Sequence, residues 1–160
     1  MQTKEIRIIV HEYSGLDELS ETDRQLVLQA REAALKAYAP YSGFQVGAAV
    51  RLANEVVLSG NNQENAAYPT GLCAERTVLF YANANYPEVP VQTLAVTARN
   101  STGLVHEPVK PCGGCRQALL EIEARFQQKI KVILDGEKAI WVLNGVESLL
   151  PFSFKPSSLS

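Results

Sequence analysis

The chain has 160 residues, of which 46% are hydrophobic and 20% charged, with a formal net charge of −2. That length and balance fit one globular domain with a substantial core, and exclude a low-complexity chain. The mildly acidic character (pI about 5.7) gives no general attraction to polynucleotides or anionic membranes. No apolar run approaches the ~20 residues that span a bilayer, and the N-terminal residues lack the apolar region of a secretion signal. The three cysteines are odd in number and carry metal-ligand spacing, which argues against a disulfide scaffold and for a reducing, cytoplasmic compartment.

In chain order, Ile6 to Tyr13 is β-branched and loosely alternating, which predicts a strand. Ser20-x-x-Asp23 is a weak capping box for a helix whose buried face is Leu26, Ala30, Ala33, Ala34 and Ala37, running to about Tyr38 before Pro40 ends it. The Tyr41-Ser42-Gly43-Phe44 turn leads to a strand over Gln45 to Leu52, an Ala53-Asn54 turn and a return strand over Val56 to Ser59. Gly60 to Tyr68 is an amide-rich loop. A helix starts at Leu72 or Cys73 and runs to about Asn83. Val91 to Thr97 is a buried strand, and Asn100 to Lys110 a polar loop. A third helix starts at Gly113 or Gly114 and runs to Gln127. Ile130 to Leu134 and Ala139 to Leu143 are strands about an Asp135-Gly136 turn, and Val146 to Leu150 is a helical turn. The alternation of strands and helices predicts an α/β fold: a five-stranded mixed sheet with helices on its faces, plus an N-terminal strand extension. Residues 1–160 read as a single domain, with 1–19 as that extension and 155–160 as a loose tail.

The chemistry concentrates in two segments. Thr70-Gly71-Leu72-Cys73-Ala74-Glu75-Arg76-Thr77 and Pro111-Cys112-Gly113-Gly114-Cys115-Arg116-Gln117 hold all three cysteines. Each lies where a loop feeds a helix. Three soft thiolates favour zinc over magnesium or calcium, and three protein ligands leave the fourth position of a catalytic zinc for water or substrate. Three thiolates around a dication carry a net negative charge, which weakens its Lewis acidity. Helix N-termini and Arg76 are placed to draw charge from the sulfurs. Glu75, two residues from Cys73, is positioned as a proton shuttle beside the metal-activated water. Taken singly these residues have blander readings: a Cys-x-x-Cys as a structural half-site, Cys73 as a small core residue, Glu75 and Arg76 as solvated helix positions.

The order Cys-x-Glu followed by Pro-Cys-x-x-Cys resembles the three-cysteine form of the zinc deaminase signature. The chain further resembles the small, homotetrameric cytidine deaminases in the runs Ala39 to Ala49, Asn62 to Tyr68, Cys73 to Thr77 and Pro111 to Gln117. The resemblance spans about Ser20 to Phe154. It implies zinc-dependent hydrolytic deamination of cytidine and deoxycytidine to uridine and deoxyuridine, in a homotetramer acting on a small-molecule nucleoside and not on a nucleic acid polymer. By the same resemblance Cys73, Cys112 and Cys115 bind zinc and Glu75 moves the proton. Asn62 and Glu64 bind the ribose hydroxyls, Phe44 packs near the pyrimidine, and the backbone of Ala74 reads the base. Phe154 reaches a neighbouring subunit's pocket, with Phe152 as the alternative. Without that frame, Asn62 and Glu64 are loop amides and carboxylates that satisfy their own backbone, and Phe44 is core packing.

Two other functions fit parts of the pattern. A deaminase of a modified nucleoside or nucleoside antibiotic shares the chemistry, and a non-catalytic structural zinc module requires a fourth protein ligand, for which His106 is the nearest histidine in sequence to the second cysteine pair.

Overall fold

The fold was obtained as a computed structural model, and it describes residues 1–159. Seven strands form one sheet: β1 (His11–Tyr13), β2 (Gln45–Leu52), β3 (Val57–Asn61), β4 (Val91–Asn100), β5 (Gly103–Leu104), β6 (Lys131–Asp135) and β7 (Ile140–Asn144). The main order is β1-β7-β6-β4-β2-β3, with β5 hairpinned onto the end of β4. Among the named strands only the β4–β6 pair is parallel. A parallel neighbour demands a crossover, and α3 (Gly113–Phe126) supplies it. The expected five-stranded mixed sheet is therefore present, with β1 and β5 added to it.

Strand alternation assigns the two layers. Ala49, Ala95, Ile133 and Ile140 face α1 (Glu21–Ala34), packing with Leu26, Val27 and Ala30. Ala48, Val50, Leu52, Leu94, Val96, Val132 and Leu134 face the other way. There they meet Val78, Leu79 and Ala82 of α2 (Ala74–Asn85) and Leu119, Leu120 and Ile122 of α3. One helix thus covers one face, and the two helices that begin at the cysteine motifs lie together on the other. The wholly buried Asp135 carboxylate fastens the α1 layer to the sheet. It accepts two 2.8 Å bonds from the Arg31 guanidinium and one of 2.7 Å from the Thr97 hydroxyl.

Several boundaries differ from expectation, each for a tertiary reason. The first strand is His11–Tyr13 and not Ile6 to Tyr13. Its antiparallel register on β7, His11 opposite Val142, leaves Leu143 and Asn144 of β7 without a β1 partner and carries Ile8 past the strand end to Gly145, at φ 101°. The first helix stops at Ala34, although Ser20 caps its start as expected, accepting from the Asp23 N–H at 3.2 Å. Tyr38 instead pairs with the amide-rich loop, donating to the Asn62 carbonyl and accepting from the Glu64 N–H. Strand β4 runs on to Asn100, and the expected polar loop after it opens with β5, because Arg99 and Asn100 pair with Leu104 and Gly103. The tail expected to be loose contains a turn over Pro156–Ser158, and Lys155 is ion-paired with Glu147; Ser160 lies outside the described residues.

The closest backbone approach fixes α1 over β2. A Cβ at Gly47 would lie 2.0 Å from the Ala30 carbonyl oxygen and 2.5 Å from the Ala34 nitrogen, so the helix rests directly on the strand. Neither backbone atom can yield without moving the layer. Gly47→Ala is expected to destabilise the fold by about 1–3 kcal/mol, as overpacking does; an unchanged urea midpoint would contradict this contact.

Candidate metal centre

Helices α2 and α3 begin at Ala74 and Gly113, with Cys73 and Cys112 as their N-cap residues in extended backbone conformation. An N-cap side chain normally accepts from a first-turn amide. Cys112 does so in sulfur form, its Sγ accepting from the Cys115 N–H at 3.4 Å. Cys115, in the first turn of α3, is buried while Cys112 is exposed and Cys73 half-buried. The three sulfurs converge within 4.8 Å of one another. Cys73 lies 3.8 Å and Cys115 3.3 Å from the Cys112 Sγ, too far for the S–S bond of about 2.05 Å.

The donor set fits zinc. Zinc–sulfur bonds of about 2.3 Å at tetrahedral angles place the sulfurs about 3.8 Å apart. The Cys73–Cys112 spacing matches that value, and the 3.3 Å pair is tighter. The titration pattern points the same way. Hydrogen bonding from the Cys115 thiol is the main cause that brings Cys73 down to about 5, with Arg76 and Cys112 adding to it against partial burial. Cys115 is pushed far up by the same partner and by burial. The sulfurs are thus electrostatically coupled, and a bound cation would displace protons from its thiolate ligands.

Arg76 stands one turn beyond Cys73, its Nη2 3.8 Å from the Cys73 sulfur. Hydrogen bonding to that sulfur raises the guanidinium pKa. Its Nε is buried with no partner among the described residues. Glu75 is 3% exposed. Burial pushes its carboxyl above the ordinary value, and negative charge on Cys73 acts in the same direction.

Beside Cys73 opens a cavity of about 540 Å³. Asn62 and Glu64 line it, as do Tyr41, Ser42, Tyr68 and Arg76. Both of the first two are tied to backbone. The Asn62 Oδ1 accepts from the Val46 N–H at 2.7 Å and its Nδ2 donates to the Phe44 carbonyl at 3.0 Å. Glu64 accepts from the Tyr41 N–H at 2.8 Å, from the Ser42 N–H at 3.3 Å and from the Ser42 hydroxyl. The Ser42 hydroxyl is the main cause that holds Glu64 below the usual carboxylate value. Asn62 and Glu64 thus bond to backbone 16 to 23 residues earlier in the chain, not to that of their own loop, and both border the cavity. Ser42 and Tyr41 are the residues that sequence reasoning left out; the turn Tyr41-Ser42-Gly43 before β2, with Gly43 at φ 65°, is the signal that marks them.

The remaining candidates are placed differently. Ala74 is wholly buried at the first position of α2, where helix amides have no intrahelical partner. Phe44 is half-buried at the entry to β2 and does not border the cavity within one chain. Nor does Phe154, which is 60% exposed, or Phe152, which is 95% exposed. His106 does not complete a four-ligand site: its ring faces Glu137 at 3.3 Å, and the sulfur trio is the metal-binding group of three among the described residues.

Comparison with known proteins agrees with this geometry. Residues 20–130 match the family model described as the cytidine and deoxycytidylate deaminase zinc-binding region. The chain is 36% identical to a cytidine deaminase of Sporosarcina psychrophila over 85% of its own length and 93% of that protein's. It is 43% identical to a cytidine deaminase of Halalkalibacterium halodurans over 62% of this chain and 72% of the relative. The crystal structure of cytidine deaminase from Burkholderia pseudomallei superposes with a TM-score of 0.72 at 36% identity, covering 85% of this chain and all of that one.

Replacing one sulfur removes an essential ligand, because two thiolates do not hold zinc in an open site. Cys112→Ser is expected to lower the zinc content from about one per chain to well below half while the far-ultraviolet dichroism is kept. Full zinc retention by elemental analysis would contradict the trio.

Proposed function

The chain belongs to the cytidine and deoxycytidylate deaminase zinc-binding family, and from that premise we propose that it hydrolyses cytidine and deoxycytidine to uridine and deoxyuridine, releasing ammonia. The observation that carries the reading is a three-sulfur centre with the buried Glu75 carboxylate against it, opening through Cys73 onto a cavity of about 540 Å³. Zinc held by Cys73, Cys112 and Cys115 would supply Lewis acidity, lowering the pKa of water toward neutrality.

The remaining chemistry belongs to side chains. Glu75 accepts the proton that water loses as its oxygen bonds to carbon 4 of the cytosine ring, and delivers it to ring nitrogen 3. The same carboxylate then takes the remaining proton from the added oxygen and gives it to the exocyclic amine as the carbon–nitrogen bond breaks, leaving the carbonyl of uracil and free ammonia. A raised pKa suits this double duty, since a carboxyl that takes and returns protons works best near the operating pH. Burial also keeps bulk water from competing for those protons. The Arg76 guanidinium on the Cys73 sulfur withdraws density from the ligand set, which offsets the charge of three thiolates.

In the cavity, Glu64 is an ionised acceptor whose orientation is set by the Tyr41–Ser42 turn. Asn62 keeps one amide hydrogen beyond its bond to Phe44. An acceptor and a donor side by side suit a sugar hydroxyl, which supports the nucleoside over the free base as substrate. The first amide of α2, at Ala74, is offered to the pyrimidine. Phe44 and Phe154 complete the aromatic part of the pocket across subunits of a homotetramer. Exposed aromatic side chains, Phe80 and Tyr81 on α2 and Phe152 and Phe154 near the C-terminus, are available to such an assembly. A cytoplasmic location accords with three unpaired thiols.

Glu75→Gln is expected to keep about one zinc per chain and to lose roughly 10²–10⁴-fold in kcat, the range of general acid–base catalysis; parental kcat would remove Glu75 from the proton path. Glu64→Ala is expected to lower kcat/KM for cytidine and deoxycytidine at least tenfold more than for free cytosine. Equal losses on nucleoside and base would overturn the ribose role.

A further inference from the structure

Arg116 occupies the first turn of α3, where the helix dipole favours negative groups and opposes a cation. Its bonds explain the placement. The Arg116 Nε donates to the Pro111 carbonyl at 2.7 Å, and Nη1 donates to the Leu149 carbonyl at 2.7 Å. Its backbone N–H donates to the Cys112 carbonyl at 3.0 Å. The peptide groups on both sides of Cys112 thus accept from one residue, through the side chain on one side and the main chain on the other. Swinging the Cys112 sulfur by backbone rotation requires breaking one of those bonds. Arg76 touches a sulfur directly, whereas Arg116 acts on the sulfur through the backbone that bears it.

The clamp is covered from outside. Arg116, Ile8, Val10, Trp141 and Leu149 border a cavity of about 290 Å³. Ile8 and Val10 come from the segment before β1, outside the residues 20–130 that match the family model. Trp141 fixes that cover, donating from Nε1 to Glu12 at 2.6 Å under the Lys110 ammonium, which lies 4.3 Å from its ring centroid. On the next residue, the Gln117 Nε2 donates to the Phe154 carbonyl at 2.9 Å, so successive side chains of α3 hold the C-terminal segment.

We propose that Arg116 is a positioning residue for the metal centre: its guanidinium joins the Pro111 carbonyl, from which Cys112 hangs, to the Leu149 carbonyl, and so fixes the direction of the Cys112 thiolate. The inference rests on the reading that the sulfur trio holds zinc. Lysine is a point charge on a flexible stem and replaces one arm of the fork, not both.

The test compares parent, Arg116→Gln and Arg116→Lys, each loaded with zinc and separately with cobalt. Expected are zinc release to a chelator about 10–100-fold faster in Arg116→Gln, as for lost outer-shell partners, and a shifted thiolate-to-cobalt charge-transfer band. With nucleoside, kcat should fall while KM changes little, and Arg116→Lys should lie between. Parental release rates with superimposable cobalt spectra would overturn the inference while leaving the zinc site intact. If Arg116→Gln does not fold, Arg116→Lys decides alone: a faster release and a shifted band support the clamp, and parental values refute it. A parent that binds no zinc overturns the underlying reading and the clamp with it.

Discussion

Three thiolates held within 4.8 Å are mutually repulsive once deprotonated, and the structure is arranged around making that cluster tolerable. Two helices begin at the same place on the same face of the sheet, each with a cysteine at its N-cap. Their free first-turn amides and positive dipole ends stabilise anions there. The parallel β4–β6 pair, with α3 as the crossover, brings the second cysteine motif back beside the first. A hairpin in place of that crossover would separate them. Apolar residues of α2 and α3 share one core cluster with the sheet, so the relative position of the helix starts is set by packing and not by the metal ligands alone.

The cavity follows the same logic of prior organisation. Asn62 and Glu64 each bond to backbone at the mouth of β2, which fixes their directions before any ligand arrives. Such fixation reduces the ordering that binding would otherwise require. It also links the pocket wall to the layer contact at Gly47, since β2 carries both. Pocket and centre are then two parts of one frame: β2 and its neighbouring loop on one side, the starts of α2 and α3 on the other. Glu75 is buried between the sulfurs and the core, where desolvation favours its protonated form.

Much of this was legible in the residues. The cysteine spacing, the five central strands and the three helices follow from motif, alternation and period, because each depends on short-range pattern. What was not legible depended on partners distant in sequence. Residues 35 to 38 have helical composition, yet Tyr38 leaves the helix to bond Asn62 and Glu64. Ile6 to Val10 have strand composition, yet pairing on β7 stops at His11, and Ile8 and the residues before it lie past the end of β7. The double use of Asn62, facing both backbone and cavity, is invisible without knowing that Phe44 and Val46 lie against it. Arg116 reads as an ordinary helix cation until the Leu149 carbonyl, 33 residues away, is seen beside it.

The central claim is that the sulfur centre and Glu75 act together on a nucleoside in the adjoining cavity. Its most direct test follows the ultraviolet absorbance of cytidine, deoxycytidine and free cytosine in parallel with protein of measured zinc content. Loss of the cytidine and deoxycytidine signals, with about one zinc per chain and cytosine the poorest substrate, is the predicted result. No change in any of the three with zinc fully bound would contradict it.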